Sequence, residues 1–319
     1  MQNVPASFDS WAVAHAAAMA IGSFDAARPA RFALDMVGRL LRLTEHESGA
    51  VLQWDPAAGW QSALPQDDPR GDLLDLYLPI SSATADRPIT IGHLGQSLDG
   101  FIATHSGDAI SVTGPENILH LHRLRALCDA VIVGAGTVAA DNPRLTTRLV
   151  AGTNPVRVIL DPGYRLPAQH TVFNDRAAPT LRVCAADSTA AAQARTRGED
   201  ILEVATCGGA LDLADLLRQL RARGFSRVFV EGGGVTVSSF LNADLLDRLH
   251  IAVAPLLIGE GRPAIRMPPR LRLRDCLRLQ HRVYRAGSDI LFDCDLRAHA
   301  NEAANGHAAP TCAPLQRVL

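Results

Sequence analysis

The chain has 319 residues, of which 47% are hydrophobic and 20% are charged, and these proportions are typical of globular domains. Its formal net charge of −2 excludes a broad electrostatic attraction to nucleic acid or to an anionic membrane surface. The sequence contains no lysine, which excludes enzymes that form a lysine Schiff base and nucleotide sites that need the Walker lysine.

Residues 1–85 contain no catalytic motif, and we expect them to form an N-terminal extension of unknown role. Their pattern predicts helices over 10–21 and 31–43, then a hairpin whose turn lies between Trp54 and Trp60. Residues 81–88 are polar and favour a linker. No secretory leader and no apolar run long enough to span a membrane occur, so the expected location is the cytoplasm.

From residue 89 onward, strand-like and helix-like segments alternate. Strands are expected over 89–95, 130–133, 156–160, 180–185, 201–204, 227–230, 248–254, 277–284 and 289–296. Helices are expected over 117–127, 211–223 and 235–242. This order predicts an α/β domain over 86–297, with a mostly parallel central sheet flanked by helices and a C-terminal antiparallel hairpin. Residues 298–319 lack periodicity and are expected to be a disordered tail.

Three consecutive glycines follow the strand expected at 227–230 and precede a helix. Glycines let the backbone approach a ligand closely, and a helix start offers unpaired N–H donors, so the segment suits a pyrophosphate. The alternative is a tight turn that needs glycine only for packing. Glu231 stands at the strand end, where open α/β sheets place ligands, and its alternative is a solvated carboxylate.

A second glycine motif, over residues 134–139, has the G-x-G-x-x-A spacing of a Rossmann fingerprint, and Asp161 stands where a ribose-binding acid is expected. Pro143 argues against that interpretation, because it ends the helix after about six residues. We expect instead a short turn in which Thr137 and Asp141 face one ligand site. Their alternatives are a helix N-cap for Thr137 and an Asx turn for Asp141.

Four segments then occur in a characteristic order: Ser-Leu-Asp-Gly-x-Ile-Ala at 97–103, Leu-Arg-Ala to Gly-Thr-Val at 124–138, Asp-Asn-Pro-x-Leu-Thr-x-Arg at 141–148, and Glu-Gly-Gly at 231–233. Together they resemble the reductase domain of the riboflavin-biosynthesis bifunctional deaminase–reductase, across about residues 89–296. The resemblance implies a dihydrofolate-reductase-like fold, a homodimer and NADPH as cofactor. It also implies reduction of a small molecule, 5-amino-6-(5-phosphoribosylamino)uracil, to the ribitylamino product.

Carried over by position, the resemblance implies a cofactor site formed by Ala103, Thr137, Asp141, Gly233, Gly234, Val235 and Thr236. It implies substrate contacts from Arg125, Leu145, Arg148 and Glu231, with Glu231 as the catalytic candidate. Guanidinium groups suit a phosphorylated sugar because they form paired hydrogen bonds with phosphate. A nicotinamide transfers the hydride itself, so the protein has to supply orientation and a dry pocket.

This sequence departs from the family pattern on the substrate side. The family commonly has lysine where this chain has Phe101, and serine and tryptophan in the region that here contains Ala109 and Ser111. Residues 1–88 also lack the zinc-binding signature of the deaminase, so we expect no deamination, and no metal-ligand cluster is evident.

Several alternatives therefore stay open. They are a reductase of the same fold that acts on another pterin- or pyrimidine-type heterocycle, a nucleotide-binding dimer that has no catalytic activity, and a Rossmann-type dehydrogenase in which Asp161 contacts a ribose. Residues that recognise the 2′-phosphate of the cofactor are not evident, and Arg157 and Arg182 are candidates because they stand near strand ends.

Overall fold

The computed structural model describes residues 7–110 and 112–297, which fall into two compact units. Among the described residues, unit 1 comprises 7–89 and Gly224–Arg227, and unit 2 comprises the rest of the described chain from Thr90 onward. Ser111 and the expected tail at 298–319 lie outside the described residues. None of the helices within the described ranges is long and apolar enough to cross a membrane.

Unit 1 is a small antiparallel sheet with two helices. Its elements are α1 (Ser10–Ala20), β1 (Ala30–Leu34), β2 (Leu40–Leu43), β3 (Leu52–Asp55), β4 (Gly59–Ser62) and α2 (Gly71–Ser81), with strand order β2-β1-β3-β4. Trp54 and Trp60 lie opposite each other in the β3–β4 hairpin, which confirms the predicted turn. Their rings pack edge-on against each other at 5.3 Å and against Phe24 and Phe32, so an aromatic cluster forms the core of this unit.

The helix predicted over 31–43 is wrong, because this segment forms the hairpin of β1 and β2. The side chain of Asp35 accepts hydrogen bonds from the backbone N–H groups of Val37 and Arg39, at 2.9 and 2.8 Å. Gly38 has a φ of +82°, which a turn uses and a helix does not. This local competition for backbone hydrogen bonds outweighs the helix-like spacing of the apolar residues. The helix α2 was not predicted.

Unit 2 is an α/β structure. Its strands are β5 (Ile89–Ser97), β6 (Phe101–Thr104), β7 (Ala130–Gly134), β8 (Val156–Leu160), β9 (Thr180–Ala185), β10 (Ile201–Val204), β11 (Thr206–Cys207), β12 (Ala210–Leu211), β13 (Arg227–Glu231), β14 (Arg248–Ala254), β15 (Gly261–Pro263), β16 (Gln280–Ala286) and β17 (Asp289–Asp295). Its helices are α3 (Pro115–Leu127), α4 (Ala135–Asp141), α5 (Thr171–Asn174), α6 (Thr189–Thr196), α7 (Leu213–Ala222) and α8 (Gly234–Asn242).

Nine strands form the main sheet in the order β10-β9-β8-β7-β13-β5-β14-β17-β16. The pairs from β10 to β13, and β5 with β14, are parallel, whereas β17 pairs antiparallel with both β14 and β16. Every residue of β13 is buried, as expected for a strand covered on both faces. The predicted fold class, including the C-terminal hairpin, is therefore confirmed.

Two arginines proposed from the sequence as readers of the 2′-phosphate have other partners. Arg157, only 1% exposed, donates to Asp175 Oδ1 at 2.8 Å and to the carbonyl oxygen of Ala178 at 2.6 Å. Arg182 donates to Asp161 Oδ2 at 2.7 Å. Each guanidinium group forms an ion pair with an aspartate, so these contacts do not favour a role of either arginine in binding the 2′-phosphate. The pair also leaves Asp161 fully buried, which removes the ribose contact of the Rossmann alternative.

Candidate active site

The candidate site lies where two neighbouring parallel strands end. Strand β7 ends at Gly134 and runs into helix α4, while β13 ends at Glu231 and reaches helix α8 through two glycines. Because β7 and β13 are paired in parallel, both strand-to-helix connections emerge at the same edge of the sheet. This edge is where open α/β sheets bind their ligands.

The two connections are fitted to each other through glycine and threonine. A Cβ on Gly134 would lie 2.6 Å from the Oγ1 atom of Thr236, and a Cβ on Gly233 would lie 2.7 Å from the Oγ1 atom of Thr137. Each threonine thus occupies the space that a side chain on the opposite loop would fill. Gly232 and Gly233 also have φ values of +62° and +66°, which residues with a side chain rarely adopt.

Gly234 is a glycine for a different reason. A Cβ there would meet the carbonyl oxygens of Ala264 and Pro263, the latter at 2.5 Å, both in the backbone of another segment. The packing alternative considered from the sequence therefore applies to Gly234, whereas the geometry of Gly233 is set by its φ and by Thr137. The three glycines therefore allow both a positive φ at Gly233 and close backbone packing at Gly234.

A single cavity of about 820 Å³ joins the two connections. Nine of the eleven residues proposed from the sequence line it: Ala103, Thr137, Asp141, Leu145, Glu231, Gly233, Gly234, Val235 and Thr236. The remaining two, Arg125 and Arg148, are not among the described residues that line it. The sequence predicts a short turn around Thr137 and Asp141, but this segment forms the helix α4. Helix α4 and the glycine-bearing turn therefore converge on one ligand-sized space.

Arg125 instead holds Glu231. The Nε atom of Arg125 donates to Glu231 Oε2 at 2.8 Å, and its Nη2 atom donates to Glu231 Oε1. Arg125 Nη1 also donates to the carbonyl oxygen of Thr146 at 3.2 Å. The paired hydrogen bonds fix the plane of the carboxylate, which projects from the end of β13 into the cavity. Arg125 is thus placed to orient Glu231.

Arg148 lies beside Arg125 without an acidic partner among its described contacts. Its Nη1 atom donates to Thr146 Oγ1 at 2.6 Å and to the same Thr146 carbonyl oxygen that Arg125 uses, at 3.3 Å. Partial burial lowers the pKa of Arg148, and the positive charges of Arg125 and Arg144 lower it further. Positive charge is therefore concentrated here, which suits a bound anion.

Three cavity-lining arginines were not identified from the sequence: Arg165, Arg262 and Arg266. All three side chains are exposed. Arg262 Nη2 lies 2.5 Å from the position of a Cβ on Gly107. Burial raises the pKa of Asp141, and the charge of Arg262 opposes that rise. No motif marks these arginines in the sequence: the pairing of β15 with β6 brings the segment of Arg262 and Arg266 to the site, whereas Arg165 follows the end of β8.

A smaller cavity of about 180 Å³ adjoins the first and shares Gly95, Ile102, Ala109, Glu231 and Gly232 with it. Its other lining residues include His93 on β5 and Thr113, Asn117 and Leu121 at or on helix α3. Ala109, one of the departures from the family pattern, lines both cavities. Phe101, the other main departure, is not among the described residues lining either of them.

A buried row of histidines runs from this smaller cavity across the sheet. His93 and His250 are register partners on β5 and β14, and Asp293 on β17 is the partner of His250. His120, from helix α3, brings its Nε2 atom within 3.0 Å of His250 Nδ1. His250 Nε2 lies 3.1 Å from Asp293 Oδ1. None of this was visible from the sequence, because strand pairing creates the row.

Comparison with known proteins gives a family match over residues 88–291, to the RibD C-terminal domain. A 2,5-diamino-6-ribosylamino-4(3H)-pyrimidinone 5′-phosphate reductase of Methanothermobacter thermautotrophicus is 34% identical over 214 residues, 65% of this chain and 97% of that protein. The riboflavin biosynthesis protein RibD of Aquifex aeolicus is 34% identical over 179 residues, 56% of this chain and 49% of that protein.

Among solved structures, a diaminohydroxyphosphoribosylaminopyrimidine deaminase/5-amino-6-(5-phosphoribosylamino)uracil reductase of Thermotoga maritima matches with a TM-score of 0.55 and 26% identity. The match covers 71% of this chain and 61% of that protein. The matched part of this chain therefore spans about half of the Aquifex protein, about three fifths of the Thermotoga protein and nearly all of the Methanothermobacter reductase.

We expect Gly134→Ala to destabilise the protein, because the added methyl group overlaps the hydroxyl of Thr236. Overpacking of this kind costs about 1–3 kcal/mol in the free energy of unfolding. Adding Thr236→Ala should restore most of the loss, since it removes the overlapping group. Gly136→Ala is the matched control: it lies in α4 with no atom within 4 Å of its Cβ position, so it should be neutral or slightly stabilising. Equal effects at both glycines in denaturant unfolding would contradict the proposed fit.

We also expect stability to fall at mildly acid pH. Burial, aided by His250, lowers the pKa of His93 from 6.5 to about 4, and burial holds the pKa of His120 well below its usual value. The unfolded chain therefore binds more protons than the folded chain within this window, and stability present above pH 6.5 is lost as pH falls toward 4. The melting temperature should decline across that range, and a constant value would contradict neutral buried histidines.

Proposed function

The chain belongs to the RibD C-terminal domain family, and on that premise we propose that it is an NADPH-dependent reductase of a phosphoribosylaminopyrimidine in riboflavin biosynthesis. The observation that carries the proposal is the convergence of two strand-to-helix connections, at Gly134 and Gly233, on one cavity. The residues proposed for the cofactor and Glu231, proposed for the substrate, line that cavity together.

The cavity suits a dinucleotide. Its glycines suit a close approach of a pyrophosphate to the backbone, and no side chain caps the N-terminus of α8. Thr137 supplies a hydroxyl group, and Asp141 supplies a carboxylate that suits ribose hydroxyls. Arg165, Arg262 and Arg266 provide positive charge for the phosphates, including the 2′-phosphate that distinguishes NADPH. When bound, NADPH supplies the hydride for the reduction.

The remaining residues hold the substrate. Glu231, fixed by Arg125, presents a carboxylate to accept hydrogen bonds from a ring N–H or amino group of the pyrimidine. Leu145 provides an apolar wall that excludes water from the reacting centre. Arg148 shares the Thr146 carbonyl oxygen with Arg125 and interacts electrostatically with Arg144, so it adds positive charge beside the Arg125–Glu231 pair, where we place the sugar phosphate. Binding therefore orients the sugar between the pyrimidine pocket and the cofactor.

A homodimer forms part of this proposal. Strand β16 is an edge of the main sheet, and the first three of its residues are exposed. The segment before it carries Leu271 and Leu273, which are 98% and 81% exposed. The edge strand of a sheet next to exposed apolar side chains is a suitable surface for a second copy of the chain.

The relatives suggest two substrates. The archaeal reductase is named for the 2,5-diaminopyrimidinone phosphate, and the Thermotoga protein for 5-amino-6-(5-phosphoribosylamino)uracil, and the two compounds differ at ring position 2. The direct test is NADPH oxidation measured with each compound. We expect turnover of at least one of them with NADPH. With NADH in place of NADPH, we expect a lower rate. Cofactor binding without oxidation in the presence of either compound would instead support a non-catalytic nucleotide-binding protein.

Arg148→Gln should weaken recognition of the substrate phosphate. Because a hydrogen bond to a charged group contributes about 1.5–3 kcal/mol, KM for the phosphorylated substrate should rise about 10- to 100-fold. KM for the dephosphorylated compound should change little. The control is Arg195→Gln, which removes an exposed arginine paired with Glu203 at 2.8 Å, outside both cavities. Equal effects of Arg148→Gln on both substrates would contradict a phosphate-binding role.

A further inference from the structure

The smaller cavity contains a histidine to which no role has been given. His93 is 3% exposed, lies on the strand β5 and lines this cavity together with Glu231. A cavity of about 180 Å³ is large enough for a single heterocyclic ring but not for a dinucleotide. Since it shares five lining residues with the larger cavity, a ring held here would lie next to the proposed cofactor site.

The hydrogen bonds around His93 define which of its nitrogens is protonated. Asn117 donates through Nδ2 to Thr113 Oγ1 at 2.9 Å, which leaves its Oδ1 atom as an acceptor. His93 Nε2 lies 2.9 Å from that Oδ1 atom and therefore donates to it. In a neutral imidazole the other nitrogen, Nδ1, is then unprotonated and can only accept. The described residues provide Nδ1 with no hydrogen-bond donor.

We propose that His93 is a specificity-determining residue that accepts, through Nδ1, a hydrogen bond from a ring N–H or amino group of the pyrimidine held in the smaller cavity. Asn117 is its positioning residue, because it selects the tautomer and holds the ring plane. This inference rests on the proposed function and assigns the substrate end of that site. Together with the Glu231 carboxylate, it makes the polar lining of the pocket rich in acceptors, which matches a diaminopyrimidine ring.

The surroundings keep His93 neutral. Burial lowers its pKa to about 4, and His250 on β14 and Arg125 on α3 act in the same direction. The Asn117 hydrogen bond and the charge of Glu231 on β13 oppose them. His120, also on α3, has its ring centre 5.4 Å from that of His93 and is itself held neutral by burial. An acceptor at Nδ1 is therefore maintained across the physiological pH range.

The first test compares His93→Phe and His93→Gln with the wild-type protein. Phenylalanine keeps a ring but has no acceptor, so kcat/KM for the pyrimidine should fall about 10- to 100-fold, as expected for a lost buried hydrogen bond. Glutamine can again accept a hydrogen bond and should recover part of the activity. The dissociation constant of NADPH, measured by fluorescence titration, should be unchanged in both variants. Thermal unfolding monitors whether each variant is folded.

The second test uses Asn117→Asp. A carboxylate at this position would lie beside His93 Nε2 and favour the protonated ring, which converts Nδ1 from an acceptor into a donor. The acid limb of the pH profile of kcat/KM should therefore lie at higher pH in Asn117→Asp than in the wild-type protein. A purely structural role of His93 would not produce this shift. His46→Gln, at an exposed histidine of unit 1 that lines neither cavity, is the matched control and should leave the profile unchanged.

The outcomes separate this inference from the proposed function. If the wild-type protein oxidises NADPH with neither pyrimidine and binds neither in calorimetry, the proposed function fails. If it reduces a pyrimidine but folded His93→Phe does so with unchanged kcat/KM, the function stands and the role of His93 is overturned. A change in NADPH affinity alone would also overturn it. A loss confined to the 2,5-diamino compound would identify the 2-amino group as the donor, and an equal loss with both compounds would identify a donor that they share.

Discussion

The reciprocal fit of two glycines and two threonines is the constraint on which the site depends. Thr236 fills the space above Gly134, and Thr137 fills the space above Gly233, so neither strand-to-helix connection can accept a side chain at these positions without displacing the other. Because β7 and β13 are adjacent parallel strands, this contact fixes the relative position of two helix starts at one sheet edge. The cavity that lies between them follows from that contact.

Helix α3 links the two ends of the proposed substrate site. Asn117 and Arg125 are eight residues apart, so they lie about two turns apart on one face of the helix. The first orients His93, and the second orients Glu231, through hydrogen bonds of 2.9 and 2.8 Å. The buried face of this helix is therefore strongly polar, and its hydrogen bonds replace much of the apolar packing expected of a buried helix.

Much of the fold was predictable because the central strands are short apolar runs bounded by turn residues. Four of the nine predicted strands, including 156–160 and 248–254, match the structure residue for residue. The segment 31–43 was mispredicted because the side chain of Asp35 stabilises a turn that periodicity does not reveal. In the site, Thr137 and Gly233 belong to local motifs and could be found, whereas His93 and Arg262 reach the cavities only through strand pairing between distant segments. Contacts of this kind cannot be predicted from the composition or from the spacing of residues along the chain.

The central claim is that both connections contact one dinucleotide. Amide hydrogen exchange, measured on the wild-type protein with and without saturating NADPH, tests it directly, because the two segments report separately. The account requires slower exchange in both Ala135–Asp141 and Gly234–Asn242 when NADPH is present. Slower exchange in only one of these helices, or only at a distant surface, would contradict it.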